Sequence, residues 1–414
     1  MDNADHPRLR PLEAFPVEQD GQRLIALRDP SGFTEQVVLL PIPALDLVSL
    51  FDGERSMAEI HRVVSDRHGE QAPGLDDIAR FAERLDDAGF LDSPLFAARR
   101  QRIEQAWLAS PSRPAAHAGA AYAGDPDLLR GQIDGFFVHP EGPGLPARRA
   151  APQRLRGLIA PHIDFHRGGA TYAWAYRELL ECSDADLFVI LGTCHGGMAD
   201  PFAVTLKPYD TPLGPAAADR AFFEALQRRY GHDLLASETA HRSEHSIEFQ
   251  AVMLRRVLGE GCGGERPFTV LPVLASFLHE AVWSGGEPEA DPRVPRFLDA
   301  LAESIAASDR KVCVIAGVDL AHVGPRFGDA LPNTEAVLER VAREDKAMLE
   351  TVKAGDPAAF YGSVAADGDS RRICGLSPIY SFLRVLPGAR GDVLRYSQAP
   401  DPQGAVSFCA AAFA

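Results

Sequence analysis

The sequence is poor in the features that would place it in a membrane, on nucleic acid or in a disulfide scaffold. No uninterrupted apolar run approaches the roughly 20 residues that crossing a bilayer requires. The opening residues, MDNADHPRLRPLEAF, lack the apolar core of a signal peptide. Six cysteines (Cys182, Cys194, Cys262, Cys313, Cys374 and Cys409) are scattered with no C-x-x-C pair, which fits reduced thiols better than a disulfide framework. A cytoplasmic location is therefore expected, with no membrane partner. Basic residues are outnumbered, 42 Lys+Arg against 58 Asp+Glu, for a formal net charge of -16. With no basic stripe to neutralise phosphates, nucleic acid is not an expected partner. Around Gly192, Gly196 and Gly197 neither a Walker A nor a G-x-G-x-x-G pattern fits, and no internal repeat is evident.

What is present reads as two domains. The chain has 414 residues, 46% apolar and 24% charged, which is ordinary for a globular protein with a sizeable core. In the first domain, 1–95, RLIALRDP and EQVVLLP read as strands around Pro30-Ser31-Gly32. ALDLVSLFDG follows as a helical stretch closed by Gly53. Ser56-Met57-Ala58-Glu59 is a capping box opening a helix with Ile60, Val63 and Val64 on one face. A third helix from about Leu75 carries Ile78, Phe81 and Leu85 and stops near Gly89. The sum is a small winged-helix-like unit, whose second helix (His61, Arg62, Asp66, Arg67) is no basic recognition face. Residues 96–112 form a linker helix and a Pro/Ser/Ala-rich join, and 139–153 a surface loop.

Over 113–414 the pattern is α/β. RLRGLIA, ADLFVILG, PFTVLPVLA and KVCVIAG are apolar enough for buried strands of a largely parallel sheet. Helical segments alternate with them, and RYSQA and AVSFCAAAF give late strands. A three-layer sandwich with helices on both faces follows.

In such sheets ligands bind beyond the carboxyl ends of the strands. Three strands run into a histidine there: His162 in Pro161-His162, His195 in Thr193-Cys194-His195, and His322 in Asp319-Leu320-Ala321-His322. His245 is expected in the first turn of the EHSIEFQAVMLRRVL helix, with Ser243 as N-cap and Ile247, Ala251, Leu254 and Leu258 as its buried stripe. One isolated histidine is usually structural; four at one edge point to a shared pocket. Neutral imidazoles suit a transition metal, or general acid–base work without one. Asp319 is placed to orient a ligand histidine, and Glu244 and Glu248 are the acids nearest His245. Gly192, Gly196 and Gly197 are read as turn glycines rather than a phosphate loop. Asp164, His166 and Arg167 are either pocket residues or helix-start groups. Arg371 and Arg372 are read as a solvated pair or an anion site, and His241, Trp174 and Trp283 as structural or unplaced.

These residues carry a family resemblance. His117-Ala118-Gly119 with Tyr122, IAPH at His162, ILGTCH at His195, TPLG at 211–214, EHSIE at 244–248, LPVL at 271–274, DLAH at 319–322 and Cys374-Gly375 occur in one order. The stretch 113–414 resembles the Memo family, including the B protein of the AmmeMemoRadiSam system. The resemblance implies a fold like class III extradiol dioxygenases, a histidine-based iron or copper site, and a radical-SAM-type partner. It implies as ligands the His of APH, the second His of SHH and the Cys of DFCH. Here these positions hold His162, Gly196 and Ala321. The ligand set must therefore be rebuilt, with His162, His195 and either His322 or His245 as the expected members. The front unit, with Asp29-Pro30-x-Gly32, LFDG, S-x-x-EI and GFL, resembles PqqD-like peptide-recognition domains, which implies a peptide bound by strand addition.

Three readings stand at this point. The first is a metal-dependent redox enzyme using His162, His195, His245, His322 and Asp319 on a small molecule or recruited peptide. The second is a non-catalytic adaptor that binds a peptide or anionic ligand. The third is a hydrolase with Cys194 as nucleophile beside a histidine.

Overall fold

Asp29 shows how the first unit is fixed locally. In the computed structural model its carboxylate accepts from the N–H groups of Ser31 (3.0 Å), Phe33 (2.8 Å) and Thr34 (3.2 Å), closing the turn that the Asp-Pro pair initiates. Buried Arg10 neutralises it at 3.2 Å. The structure describes residues 5–147, 155–259, 266–330 and 333–414; Cys262 and the last part of the loop expected at 139–153 lie outside them.

The chain divides into two units, Met1–Ser110 and Pro111–Ala414, and the helix Pro94–Ala109 groups with the first. Its three-stranded antiparallel sheet runs β1 (Glu13–Gln19), β2 (Gln22–Arg28), β3 (Val37–Pro41) in that order. The sequence points to β2 and β3 but not to β1. That segment contains Pro16 and a weak apolar pattern, which an edge strand tolerates. The first helix spans only Ala44–Val48, shorter than the stretch to Gly53. The helix Met57–His68 begins with the Ser56–Glu59 capping box, both hydrogen bonds being present. Leu75–Asp87 completes the unit over a core of Ile60, Val64, Ile78, Leu85 and Phe90.

The second unit is built on an eight-stranded sheet. Its strands are β4 (Gly157–Ala160), β5 (Leu187–Thr193), β6 (Phe202–Val204), β7 (Thr269–Ala275), β8 (Val312–Gly317), β9 (His322–Val323), β10 (Gly391–Asp401) and β11 (Gly404–Phe413). The order is β10-β11-β4-β8-β5-β7-β6, with β9 on β11. The four apolar runs (β4, β8, β5, β7) pair in parallel in the middle, and β6, β9, β10 and β11 add antiparallel edges. Pleat alternation sorts the side chains of β5. Val189 and Leu191 enter the core that includes Phe297 and Phe382, while Phe188 and Ile190 enter the core that includes Tyr176 and Phe249. Helices thus cover both faces: Phe165–Cys182 and Glu248–Leu254 on one, Arg293–Ala306 and Leu376–Val385 on the other.

One element departs from expectation where it matters. The helix expected to begin behind Ser243 begins at Glu248, with Ile247 at its cap position and no side-chain cap. The reason is Glu244, whose Oε1 accepts from the backbone N–H groups of His245 (2.8 Å) and Ser246 (3.0 Å), holding this stretch in a turn. His245 therefore precedes the helix. The helix itself is buried all round rather than along one stripe.

Candidate functional site

The carboxyl ends of β4, β5 and β8 carry the site, and the segment 244–250 is pressed onto them. Two glycines permit this. A Cβ at Gly192 would lie 2.6 Å from Ser246 Oγ, and one at Gly317 2.6 Å from the Ser246 carbonyl. Close approach, rather than a turn, explains Gly192; Gly197, at φ +74, is a true turn glycine.

His162 leaves β4 and is 2% exposed. Its ring Nδ1 lies 3.0 Å from the Gly317 carbonyl and so must donate to it, leaving Nε2 as a lone-pair donor. Asp319 acts on the backbone: its Oδ1 accepts from His162 N–H (3.0 Å) and Ile163 N–H (3.2 Å), while Oδ2 is 3.8 Å from the ring Nε2. Burial, and then the neighbouring His195, hold the His162 pKa down to about 3, so the ring is neutral at physiological pH. Burial pushes Asp319 the other way, up to about 6, against the pull of His322.

His195 follows β5, and Glu244 fixes it twice. The carboxylate accepts from the His195 backbone N–H at 2.8 Å and lies 3.0 Å from its Nδ1. The same Glu244 Oε1 is 3.2 Å from Nδ1 of His245. Burial alone would raise the Glu244 pKa, but His195 and His245 outweigh it, and the carboxyl is held well below its usual range. One buried anion thus takes the Nδ1 side of two imidazoles and turns both Nε2 atoms outward, an arrangement familiar from carboxylate–histidine–metal sites. The three rings close a triangle, with centroids 5.0 Å apart for His162–His195, 5.1 Å for His162–His245 and 4.7 Å for His195–His245. Burial and the other imidazoles keep the His245 pKa well below its ordinary value against the attraction of Glu244.

Among the described residues two overlapping groups have donor atoms within 4.8 Å of one another: His162, His195 and Cys374, and His195, Glu244 and His245. Three imidazoles, a thiol and a carboxylate make a donor set that suits iron, copper or zinc. His322 belongs to neither group. Its backbone N–H is held by the Arg371 carbonyl at 2.7 Å, and its Nδ1 lies 3.1 Å from the Leu320 carbonyl with Phe327 against its ring. It remains within electrostatic range of Asp319 and His195.

Other expectations resolve individually. Glu248 faces away from His245 into a fully buried pair with Arg113, and also accepts from Tyr122 Oη and the His117 N–H (3.0 Å). Arg113 in turn donates to the carbonyls of His241 (3.1 Å) and Glu244 (2.6 Å), so this pair holds the segment that carries Glu244. Arg371 is no solvated residue: it is buried against Asp345, and Arg372 bonds Asp329 at 2.6 Å. Asp164 is the N-cap of Phe165–Cys182, accepting from Arg167 N–H, and pairs with the Arg167 guanidinium. His241 is structural, its Nδ1 meeting Tyr209 Oη at 2.8 Å and its Nε2 the Ala203 carbonyl at 3.0 Å. Trp174 donates to the Glu141 carbonyl, and Trp283 is 75% exposed. Burial pushes the Cys194 thiol pKa up to about 12, and pushes that of Cys374 well above its ordinary value too.

Sequence reasoning left out three contributors. In sequence Cys374 and His117 stand out only as motif residues, yet His117 packs edge-on to His245 at 5.6 Å. Arg113 had no local signal at all.

An α/β sheet here presents, at its strand ends, an imidazole cluster with its own orienting carboxylate that could hold a metal ion. Comparison with known proteins makes this specific. The family model described as Memo-like protein matches residues 113–412, and the chain belongs to that family. The MEMO1 family protein of Methanopyrus kandleri is 31% identical over 300 residues, covering 70% of this chain and 94% of its own. The MEMO1 family protein of Aquifex aeolicus is 25% identical over 372 residues (90% and 89%), and that of Thermus thermophilus 28% over 344 residues (83% and 93%). The two longer alignments extend past the family-matched stretch into the first unit.

Proposed function

We propose that this chain is a metal-dependent oxidoreductase whose strand-end histidines hold one iron or copper ion. The observation that carries this reading is the triangle of three imidazoles whose Nδ1 atoms are already committed to Gly317 and Glu244. His162, His195 and His245 would hold the ion through Nε2, with Glu244 and Asp319 fixing their orientation. Bound iron or copper would supply Lewis acidity and one-electron chemistry. The buried, neutral state of His162 favours binding, because no proton has to be displaced from it at neutral pH.

The substrate is a small molecule or a peptide recruited by the first unit, in the manner of systems with a radical-SAM-type partner. Edge strand β3 supports the peptide: Val37 and Leu39 are 50% and 40% exposed on one face of it, with Ile42 49% exposed just beyond. A cytoplasmic site of action belongs to the same proposal; no helix among the described residues is long and apolar enough to cross a membrane.

A second reading, an adaptor that binds without catalysis, draws on Gly196 and Ala321, where donors implied by the resemblance are missing. Calorimetric titration of chelator-stripped protein with Fe(II) or Cu(II) separates the two. The oxidoreductase reading expects about one ion per chain and much weaker binding in His195→Ala. Absent or unaltered binding would leave the adaptor.

A further inference from the structure

We infer that Cys374 is a thiolate donor to this ion, so that the centre mixes sulfur with nitrogen; the inference rests on the metal reading above. Cys374 Sγ lies 3.3 Å from His162 Nε2, the atom that the Gly317 carbonyl leaves as a lone pair. It shares with His162 and His195 a space in which all three donor atoms are within 4.8 Å.

The sulfur also lies 3.5 Å from the Asp319 carbonyl, and backbone contacts fix the segment that carries it. The Cys374 carbonyl accepts from Thr193 Oγ1 at 3.1 Å, tying the segment to the end of β5. Gly375 lies flat against the residues after β8: a Cβ there would fall 2.6 Å from Val318 Cβ and 2.7 Å from the Asp319 carbonyl. The Gly375 N–H donates to that same carbonyl at 3.2 Å. Three strand ends, those of β4, β5 and β8, are thereby joined by one short segment whose sulfur points at the imidazoles. Among the described residues Cys374 is the cysteine that shares a donor group with the imidazoles. Cys194 also stands at a strand end but belongs to neither donor group.

On binding, the Sγ–H proton passes to solvent as the metal–sulfur bond forms, with no change in oxidation state. A thiolate biases the site towards copper, zinc or iron and away from magnesium, calcium and manganese.

Co(II) titration of the apo full-length chain, followed by electronic absorption, tests this. The expected result is a near-ultraviolet sulfur-to-cobalt charge-transfer band in wild type that persists in Cys194→Ala. The band should disappear in Cys374→Ser while the visible ligand-field bands remain. Ligand-field bands in wild type without the charge-transfer band would overturn the role of Cys374 and leave the metal reading standing, whatever the folding of the variant. A charge-transfer band that survives in Cys374→Ser would overturn it too. Absence of any cobalt spectrum would remove the metal reading and this inference together.

Discussion

The two units bury polar groups for different purposes. In the first, the buried charges are Arg10 and Asp29, and they serve a turn: Asp29 collects backbone amides and Arg10 compensates its charge. In the second, some buried charges serve the framework, such as Asp219 beside Thr269 at the start of β7, but one set converges with imidazoles on the opposite edge of the sheet. Arg113 and Glu248 hold the segment that bears Glu244, Glu244 holds His195 and His245, and Asp319 holds the backbone of His162. Desolvating so many polar groups at one place is costly unless each is satisfied. The difference lies in the partners: Asp29 meets backbone amides and a guanidinium, whereas Glu244 meets imidazoles that could hold a metal ion.

The comparison can be broken most forcefully at the Arg113–Glu248 pair. Glu248→Ala leaves the guanidinium buried and unpaired, and about 3–5 kcal/mol of stability should be lost from the second unit in urea unfolding. Metal uptake should fall with it. Asp29→Ala should destabilise the first unit and leave metal stoichiometry unchanged; parallel losses would erase the distinction between the units.

Glu244→Gln is a finer cut. It keeps the shape of the side chain but removes the anion, and roughly 10–100-fold weaker metal binding is expected without unfolding. Calorimetry reads the first quantity and circular dichroism the second.

His241 sharpens the contrast between structural and ligating histidines through pH. Its folded pKa is held down to about 3, chiefly by burial, against an ordinary value of 6.5. Above 6.5 neither folded nor unfolded chain protonates it. As pH falls below 6.5 the unfolded chain takes up the proton first, so stability declines until about pH 3. The deficit at pH 5 is about 2 kcal/mol. His241→Gln should flatten the stability profile across that window. The smallest effect is expected in the first unit, where Ser56→Ala removes the capping box and costs about 1 kcal/mol with no change in metal content.

Local signals made part of this legible in the sequence. His162 and His195 could be placed because β4 and β5 are continuous apolar runs that end at a known edge. His245 was placed near them, but on a helix that starts only at Glu248, since Glu244 competes for the backbone amides. His322 ends a strand in the same way in sequence but belongs to neither donor group. After Ala321 the chain turns onto β11, where Val406 pairs with His322, whose Nδ1 meets the Leu320 carbonyl and whose ring packs on Phe327. Arg113 and Cys374 reach the site across 135 and 212 residues of sequence, respectively, through contacts that no periodicity encodes. Arg371 looked solvated for the same reason: Asp345, which buries it, is on a distant helix.

The most direct test is elemental analysis of the full-length protein purified without a metal-affinity tag. The account predicts close to one equivalent of iron or copper per chain, and its loss in the His162→Ala/His195→Ala double variant. Substoichiometric metal in wild type that is unchanged in the double variant would contradict it.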